Sequence, residues 1–340
     1  MDNTAHVSFN AEDRSYFSIL KKGIHNLISQ AGFSEKRTAE ADIVVAEMAS
    51  NLTKHAGGGE ILARIIHEDD NAAIELISID NGPGMADPLR MMEDGMSTAN
   101  TLGQGFGAMK RLSDTFQVYS LKDWGTIVLC RLYKNELPHF TKKPLAEVRS
   151  VVLPKPGETL SGDGFYYEFT STGLKLLLGD GLGHGPEAHK AVQAAINAFK
   201  TCTHQSPTTQ LRSMHTEVKK TRGLVGTAAL YDAKEKKWRI CGIGNIATRT
   251  VTAATTKQYM SYNGIIGMNI PNTLADQEVD YDRGQVMILC SDGIKTRWDL
   301  QKYIGIFRYD LSVMAAAIYK DHARKTDDMS VAVVRINTGI

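Results

Sequence analysis

Gly103-Gln104-Gly105-Phe106-Gly107-Ala108-Met109-Lys110 leads directly into the apolar stripe of a helix. Glycine-rich backbone at a helix N-terminus offers unpaired N–H groups to phosphate oxygens. The segment lacks the GxxxxGK signature, so it is no P-loop. Its GxGxG does not follow a strand within a βαβ unit, so a dinucleotide fold is poorly supported. Upstream, Asp80-Asn81-Gly82-Pro83-Gly84-Met85 closes the strand-like run IELISID. An Asp at a strand end accepts a hydrogen bond from the amino group of a bound ring. Gly82 and Gly84 let the backbone turn tightly beside a ligand. An ordinary Asn-Gly-Pro-Gly turn looks the same. Further upstream, Glu47, Asn51 and His55 stand four residues apart and form one polar stripe on a helix, with Val44, Val45, Met48 and Leu52 on its apolar side. Alone, that stripe also fits a solvated helix face.

In this order the three segments resemble the GHKL ATP-binding fold, named for gyrase, a chaperone, histidine kinases and a mismatch-repair protein. EMASNLTKHA matches the Asn-bearing helix, DNGPGM the adenine-side loop and GQGFGAMKRLSD the phosphate loop. Gly125-Thr126 matches the strand that closes the adenine pocket. The resemblance covers about residues 10–133. It implies that Asn51 holds Mg²⁺ against the ATP phosphates and that Asp80 receives the adenine amino group, with Gly82 and Thr126 beside it. It implies further that Gly84, Gly103, Gly105 and Gly107 shape the nucleotide loops, and that Glu47 is the general base. His25, in GIHNL, does not fit a phospho-acceptor histidine. Roughly twenty residues between the two glycine-rich loops leave room for a short lid only. The string MMEDGMSTANTLGQGFGAMKRLSD looks like the small serine kinases of bacterial partner switching, the anti-sigma factors and above all the stress-signalling switch kinases. Those phosphorylate Ser or Thr on small STAS-domain proteins. The resemblance implies a STAS-domain partner, with a sigma factor or other regulator as a second candidate. Met91, Met92 and Met96 near the lid read as gap-filling side chains before they read as a partner surface.

Downstream, acidic residues recur at the edges of apolar strands: Asp163 in SGDGFYYEF, Asp180 in LKLLLGDGLGHG, Asp292 in QVMILCSDG, and Asp327-Asp328 in KTDDMSVAVVRI. Each taken singly also suits a hairpin turn. Gathered at strand ends, oxygen-rich clusters suit hard cations such as Mg²⁺ or Mn²⁺. A two-metal site can ionise water and clamp a phosphoryl group. The order GDG, GDGLGHG, SDG, DDMS resembles the type 2C metal-dependent Ser/Thr phosphatases, in their bacterial sporulation and stress-response branch, over about residues 148–337. The resemblance makes Asp180 the bridging and catalytic ligand and Gly181 a carbonyl ligand. Asp292 and Asp327 complete the second metal position, and Asp163 acts either as a direct metal ligand or just behind the ligands. Asp327, not Asp328, aligns with the family's ligand. His184 reads as a loop histidine and His189 as helix surface. No Gly-x-Ser-x-Gly supplies a serine nucleophile.

The remaining composition agrees. The 340 residues carry 39 Lys+Arg against 38 Asp+Glu, a net charge of +1, too even for a duplex nucleic-acid binder. Cys130, Cys202, Cys241 and Cys290 form no CxxC pair, which argues against structural zinc and for a reducing compartment. No signal peptide or membrane span is read, so the expected location is cytoplasmic. The proline- and lysine-bearing stretch 134–150 marks a boundary. The expected organisation is residues 1–136 as the GHKL domain, 137–147 as a linker and 148–340 as the phosphatase domain. The expected fold class is α+β, a GHKL α/β sandwich followed by a four-layer αββα domain. The expected function is ATP-dependent Ser/Thr phosphorylation of a STAS-domain protein together with metal-dependent dephosphorylation. The alternative is a phosphatase whose N-terminal domain only binds nucleotide, a partner or a sigma factor.

Overall fold

Leu20, Ile24 and Ile28 recur at helical spacing and are buried on one face of α1 (Phe17–Gln30). A strand, β1 (Val7–Asn10), comes before it in the chain. Ala11 N then donates to Gly59 O at 2.8 Å. The computed structural model describes residues 5–12, 16–68, 71–88, 102–136, 144–204 and 206–337. Helix α2 (Glu35–Asn51) starts where Ser34 accepts a hydrogen bond from Arg37 N, which satisfies one free donor of the first turn. It buries Val44, Val45 and Met48 against the core.

Beyond Asn51 the helix continues as a π turn, Leu52–Ala56, closed by Gly57 in the left-handed region. Such single π turns are rare and gather at functional sites. Here the wider turn seats Ala56 against Gly82, where a Cβ would stand 2.8 Å from the Ala56 Cα. The polar stripe expected from regular helix spacing therefore ends at Asn51 as α-helix, and His55 lies within the π turn.

Strands β2 (Glu60–Glu68), β3 (Asn71–Ile79), β4 (Thr115–Leu121) and β5 (Gly125–Tyr133) join β1 in an antiparallel sheet of order β1-β2-β3-β5-β4. Their alternation sends Ile61, Ala63, Ile74, Leu76, Val128 and Cys130 into one core with α1, α2 and α3 (Leu102–Leu112). Residues 1–141 form a compact unit that also takes in residues 308–316, which the sequence reading places with the C-terminal domain. The reason is a buried ionic network in this unit. Glu75 is fully buried and accepts from Arg64 Nε at 2.9 Å and Arg131 Nε at 2.7 Å. The two guanidiniums hold its carboxyl well below the usual carboxylate range against the opposing effect of burial. Arg131 also donates to both oxygens of Asp310, at 2.6 and 2.7 Å, and Ser312 Oγ donates to Glu75 Oε2 at 2.7 Å.

The second unit comprises residues 142–307 and 317–340. It holds two antiparallel sheets. One has the order β13-β10-β9-β8-β7, built from β7 (Asp163–Phe169), β8 (Gly173–Gly181), β9 (Leu224–Asp232), β10 (Lys237–Ile243) and β13 (Gln277–Asp280). The other has the order β12-β11-β14-β15-β6, built from β6 (Ala146–Leu153), β11 (Ala247–Val251), β12 (Thr256–Tyr259), β14 (Val286–Cys290) and β15 (Met329–Ile336). Helices α4 (Pro186–Thr201) and α5 (Pro207–Glu217) cover the first sheet, with Val192, Ile196, Phe199, Leu211 and Met214 packed on Leu177, Ala228 and Cys241. Helix α6 (Leu311–His322) begins in the segment that groups with the first unit. The short strand β13 was not anticipated, because QEVD has neither length nor apolar alternation. It exists through pairing with residues 237–240 of β10.

Candidate functional site

In the first unit, α2 presents Glu47 and Asn51 one turn apart toward α3. Gly105 permits the approach: a Cβ there would stand 2.8 Å from Glu47 Oε2 and 3.6 Å from Asn51 Oδ1. Asn51 Nδ2 is buried and has no hydrogen-bond partner among the described residues. A buried polar atom without a partner is rare in folded proteins and calls for one. The glycines were expected ahead of a helix. Instead α3 starts at Leu102, so Gly103, Gly105 and Gly107 are themselves helical. Met91, Met92 and Met96 lie outside the described residues.

Asp80 ends β3 and is fixed from two directions. Its Oδ1 accepts from Gly82 N at 2.8 Å and from Thr126 N at 3.1 Å, and Asp80 N donates to Thr126 O at 3.0 Å. Gly84 has φ +64°, and a Cβ there would run into the Leu121 carbonyl oxygen. Gly125 has φ +117°, and its Cβ would run into the Asp80 carbonyl. No other residue lets this loop lie so close to the β4–β5 hairpin. Ser120, missed in the sequence reading, completes the stitching. It accepts from Met85 N at 2.8 Å, donates to Gly125 O at 2.9 Å, and stands 3.0 Å from Thr126 Oγ1. Nothing around Ser120 in sequence marks it; it faces the loop only because β4 pairs Ser120 with Thr126. His55 has its pKa lowered by burial and by Lys54.

In the second unit the acidic residues converge from both sheets. The β7–β8 register sets Asp163 directly opposite Asp180. Asp292 follows β14, and Asp327-Asp328 precede β15. Reciprocal bonds join those two loops, from Ser291 N to Ser330 O at 3.1 Å and from Ser330 N to Ser291 Oγ at 3.0 Å. Burial, followed by the charges of Asp163, Asp292, Asp327 and Asp328, pushes Asp180 up to about 9. Asp163 is 4% exposed and is pushed up to about 7, chiefly by burial. The Ser291 and Ser330 hydroxyls draw it back, yet neither Asp163 oxygen has a hydrogen bond of good geometry among the described residues. Asp292 is raised by burial and Asp327, and Asn245 Nδ2 steadies its Oδ2 at 2.9 Å. Asp328 is buried and held by Lys155 N at 2.9 Å, whereas Asp327 accepts from Asp328 N and stays partly open. His184 pairs with Glu158 at 2.7 Å. His189 was expected on the helix surface; it is half-buried and bonds the Ser161 carbonyl at 2.9 Å.

No Lys or Arg forms an ion pair with these five carboxylates among the described residues. Nor do three His, Cys, Asp or Glu side chains there close into a ready-made cage. Concentrated, unneutralised oxygen ligands with an orphaned Asp163 fit divalent cations. A pH dependence follows. In the unfolded chain Asp163 and Asp180 titrate at ordinary carboxylate values of about 4. From about pH 4 to about pH 9 the metal-free folded state therefore binds more protons than the unfolded state, so its stability falls as pH rises. Mn²⁺ must displace those protons, so its affinity rises over the same window. Thermal melts with chelator against Mn²⁺, and calorimetry in buffers of unequal ionisation enthalpy, check both effects. A chelated protein whose Tm climbs steadily across that window would contradict them.

The two units define a chain that joins a GHKL-like ATPase fold to a type 2C-like phosphatase fold. Residues 9–132 match the histidine kinase-like ATPase domain, and residues 170–337 match Stage II sporulation protein E (SpoIIE). The serine/threonine-protein kinase RsbT of Bacillus subtilis (strain 168) is 34% identical over 101 residues, which cover 30% of this chain and 76% of RsbT. The chain belongs to the RsbT kinase family through this part and carries a SpoIIE, type 2C-like phosphatase domain beyond it. Among solved structures, one described as "The bacterial stressosome: a modular system that has been adapted to control secondary messenger signaling" superposes with TM-score 0.53 at 27% identity. It covers 57% of this chain and 100% of that one. RsbX in complex with magnesium superposes with TM-score 0.51 at 14% identity, covering 66% of this chain and 100% of RsbX, a likeness of fold. No described helix is long and apolar enough to cross a membrane.

Proposed function

We propose that the chain is a bifunctional partner-switching regulator of the cytoplasm. Its N-terminal domain, residues 1–136, transfers the ATP γ-phosphoryl group to a Ser or Thr of a STAS-domain protein. Its C-terminal domain, residues 148–340 beyond a linker at 137–147, hydrolyses phospho-Ser/Thr. The observation that carries the kinase reading is the meeting of Glu47 and the orphaned Asn51 amide at Gly105. Asn51 holds the Mg²⁺ that accompanies ATP, Glu47 takes the proton of the attacking hydroxyl, and Asp80 with Thr126 receives the adenine. Gly82, Gly84, Gly103, Gly105 and Gly107 give the backbone its approach to the nucleotide.

In the phosphatase half, Asp163, Asp180, Asp292, Asp327 and the Gly181 carbonyl hold two divalent cations, Mg²⁺ or Mn²⁺. When bound, these cations supply water activation and charge neutralisation. Asn245 and the paired Ser291 and Ser330 orient the carboxylates. Both halves act on the same phosphoprotein, since one chain keeps the kinase and the phosphatase beside a shared partner.

The test is incubation with labelled ATP and candidate STAS proteins, with and without Mn²⁺. Mg·ATP alone should raise the phosphorylated fraction. Added Mn²⁺ should lower it and increase net ATP consumption. Hydrolysis without any transfer would leave a phosphatase with a nucleotide-binding module. Transfer without dephosphorylation under every cation would assign the second half to a different phosphoprotein.

A further inference from the structure

Two arginines stand at the rim of the acidic cluster, and neither makes an ion pair or side-chain hydrogen bond among the described residues. Arg222 directly precedes Gly223, whose carbonyl accepts from Leu182 N at 3.1 Å. Its Nη1 lies 3.0 Å from where a Cβ of Gly183 would sit, so the guanidinium rests over the turn that follows Asp180-Gly181. Gly183 has φ +80° and keeps that space open. Arg324 is held by a short ladder: its N donates to Gly293 O at 2.8 Å, Lys295 N donates to His322 O at 2.8 Å, and Ile294 bridges Ala323. The ladder sets Arg324 beside Asp292, whose carboxyl its charge partly eases, and three residues before Asp327. Both side chains are exposed.

The placement is paired. Arg222 leads into β9, which neighbours the strand carrying Asp180. Arg324 precedes β15, which neighbours the strand leading to Asp292. Each sheet thus brings carboxylates and one unpaired guanidinium to the same end. Arginine and carboxylate paired directly are frequently bidentate. These two remain open although five carboxylates stand near. Their planar donor forks match the non-bridging oxygens of a phosphomonoester dianion, the group that must arrive at this site.

We propose that Arg222 and Arg324 are substrate-binding residues that grip the phosphoryl oxygens of the phosphoprotein, one from each sheet. This rests on the phosphatase reading of the acidic cluster. The test uses Arg222→Gln and Arg324→Gln in the full chain loaded with Mn²⁺, with inorganic phosphate as the probe in calorimetry. Each variant should weaken phosphate binding roughly tenfold. KM for a phosphoserine peptide should rise by a similar factor while kcat stays within about threefold. Arg→Lys at either position should recover part of the loss, because charge returns without the fork. Mn²⁺ affinity should not change. Unaltered phosphate affinity in both variants overturns the proposal. So does tighter Mn²⁺ binding with unaltered phosphate affinity, which makes the arginines mere charge balance for the carboxylates. Wild-type protein that hydrolyses no phosphoester sinks the phosphatase reading and with it the substrate role, whereas phosphate binding that depends on these arginines still marks them as the phosphoryl-gripping pair.

Discussion

Asp180→Asn is expected to abolish phosphatase activity, by about 10³-fold or more, while ATP-dependent transfer continues at the wild-type rate. Burial, followed by the charges of Asp163, Asp292, Asp327 and Asp328, pushes Asp180 up to about 9. The amide is nearly isosteric, so β8 keeps its register against β7 and β9. What disappears is the negative charge that Asp180 would offer to a divalent cation. Mn²⁺ affinity measured by calorimetry should fall with activity. The variant should also lose much of the fall in metal-free stability on raising pH, because the group responsible for most of it no longer titrates. A variant with wild-type metal affinity and hydrolysis would remove Asp180 from the role.

Asn51→Ala should do the converse. ATP binding should weaken and phosphotransfer should fall by roughly 10²–10³-fold, the cost of losing one preorganised polar group at a phosphoryl centre. Mn²⁺-dependent hydrolysis should survive. Asn51 is half-buried at the last α-helical residue before the π turn, and its Nδ2 has no described partner. Truncation therefore breaks no described bond of that nitrogen, and the loss reports on the nucleotide. Transfer to a STAS protein and nucleotide calorimetry on the same preparation read the two effects. Undiminished transfer by a folded Asn51→Ala chain takes Asn51 out of the site.

Much of the arrangement proposed as the site was legible in the sequence because it is local. Glu47 and Asn51 share a helix face by spacing alone. Asp80 sits at a strand end followed by glycines that announce a tight turn. Asp180 and Asp292 each close an apolar strand. Residues whose roles depend on pairing left no such mark. Ser120 is one serine in an alternating strand until β5 brings Thr126 across from it. Asn245 looks like a turn residue until it reaches Asp292 from 47 positions away. Arg222 and Arg324 are two of the 39 basic residues in the chain.

By itself the amino-acid sequence set the mixed helix-and-strand character of the chain, because hydrophobic periodicity and turn chemistry act over a few residues, and its motifs carried the resemblance to the two folds. Only the tertiary structure decided register and approach. It set Asp163 opposite Asp180, since a slip of one residue would send either side chain to the other face. It widened the end of α2 into a π turn so that Ala56 meets Gly82, and it drew α3 onto Glu47 and Asn51 through Gly105. It also grouped residues 308–316 with the first unit, because a buried Glu75 with Arg131 needed Asp310 and Ser312 to complete its hydrogen bonds. These outcomes depend on groups far apart in the chain competing for one space, which local pattern does not encode.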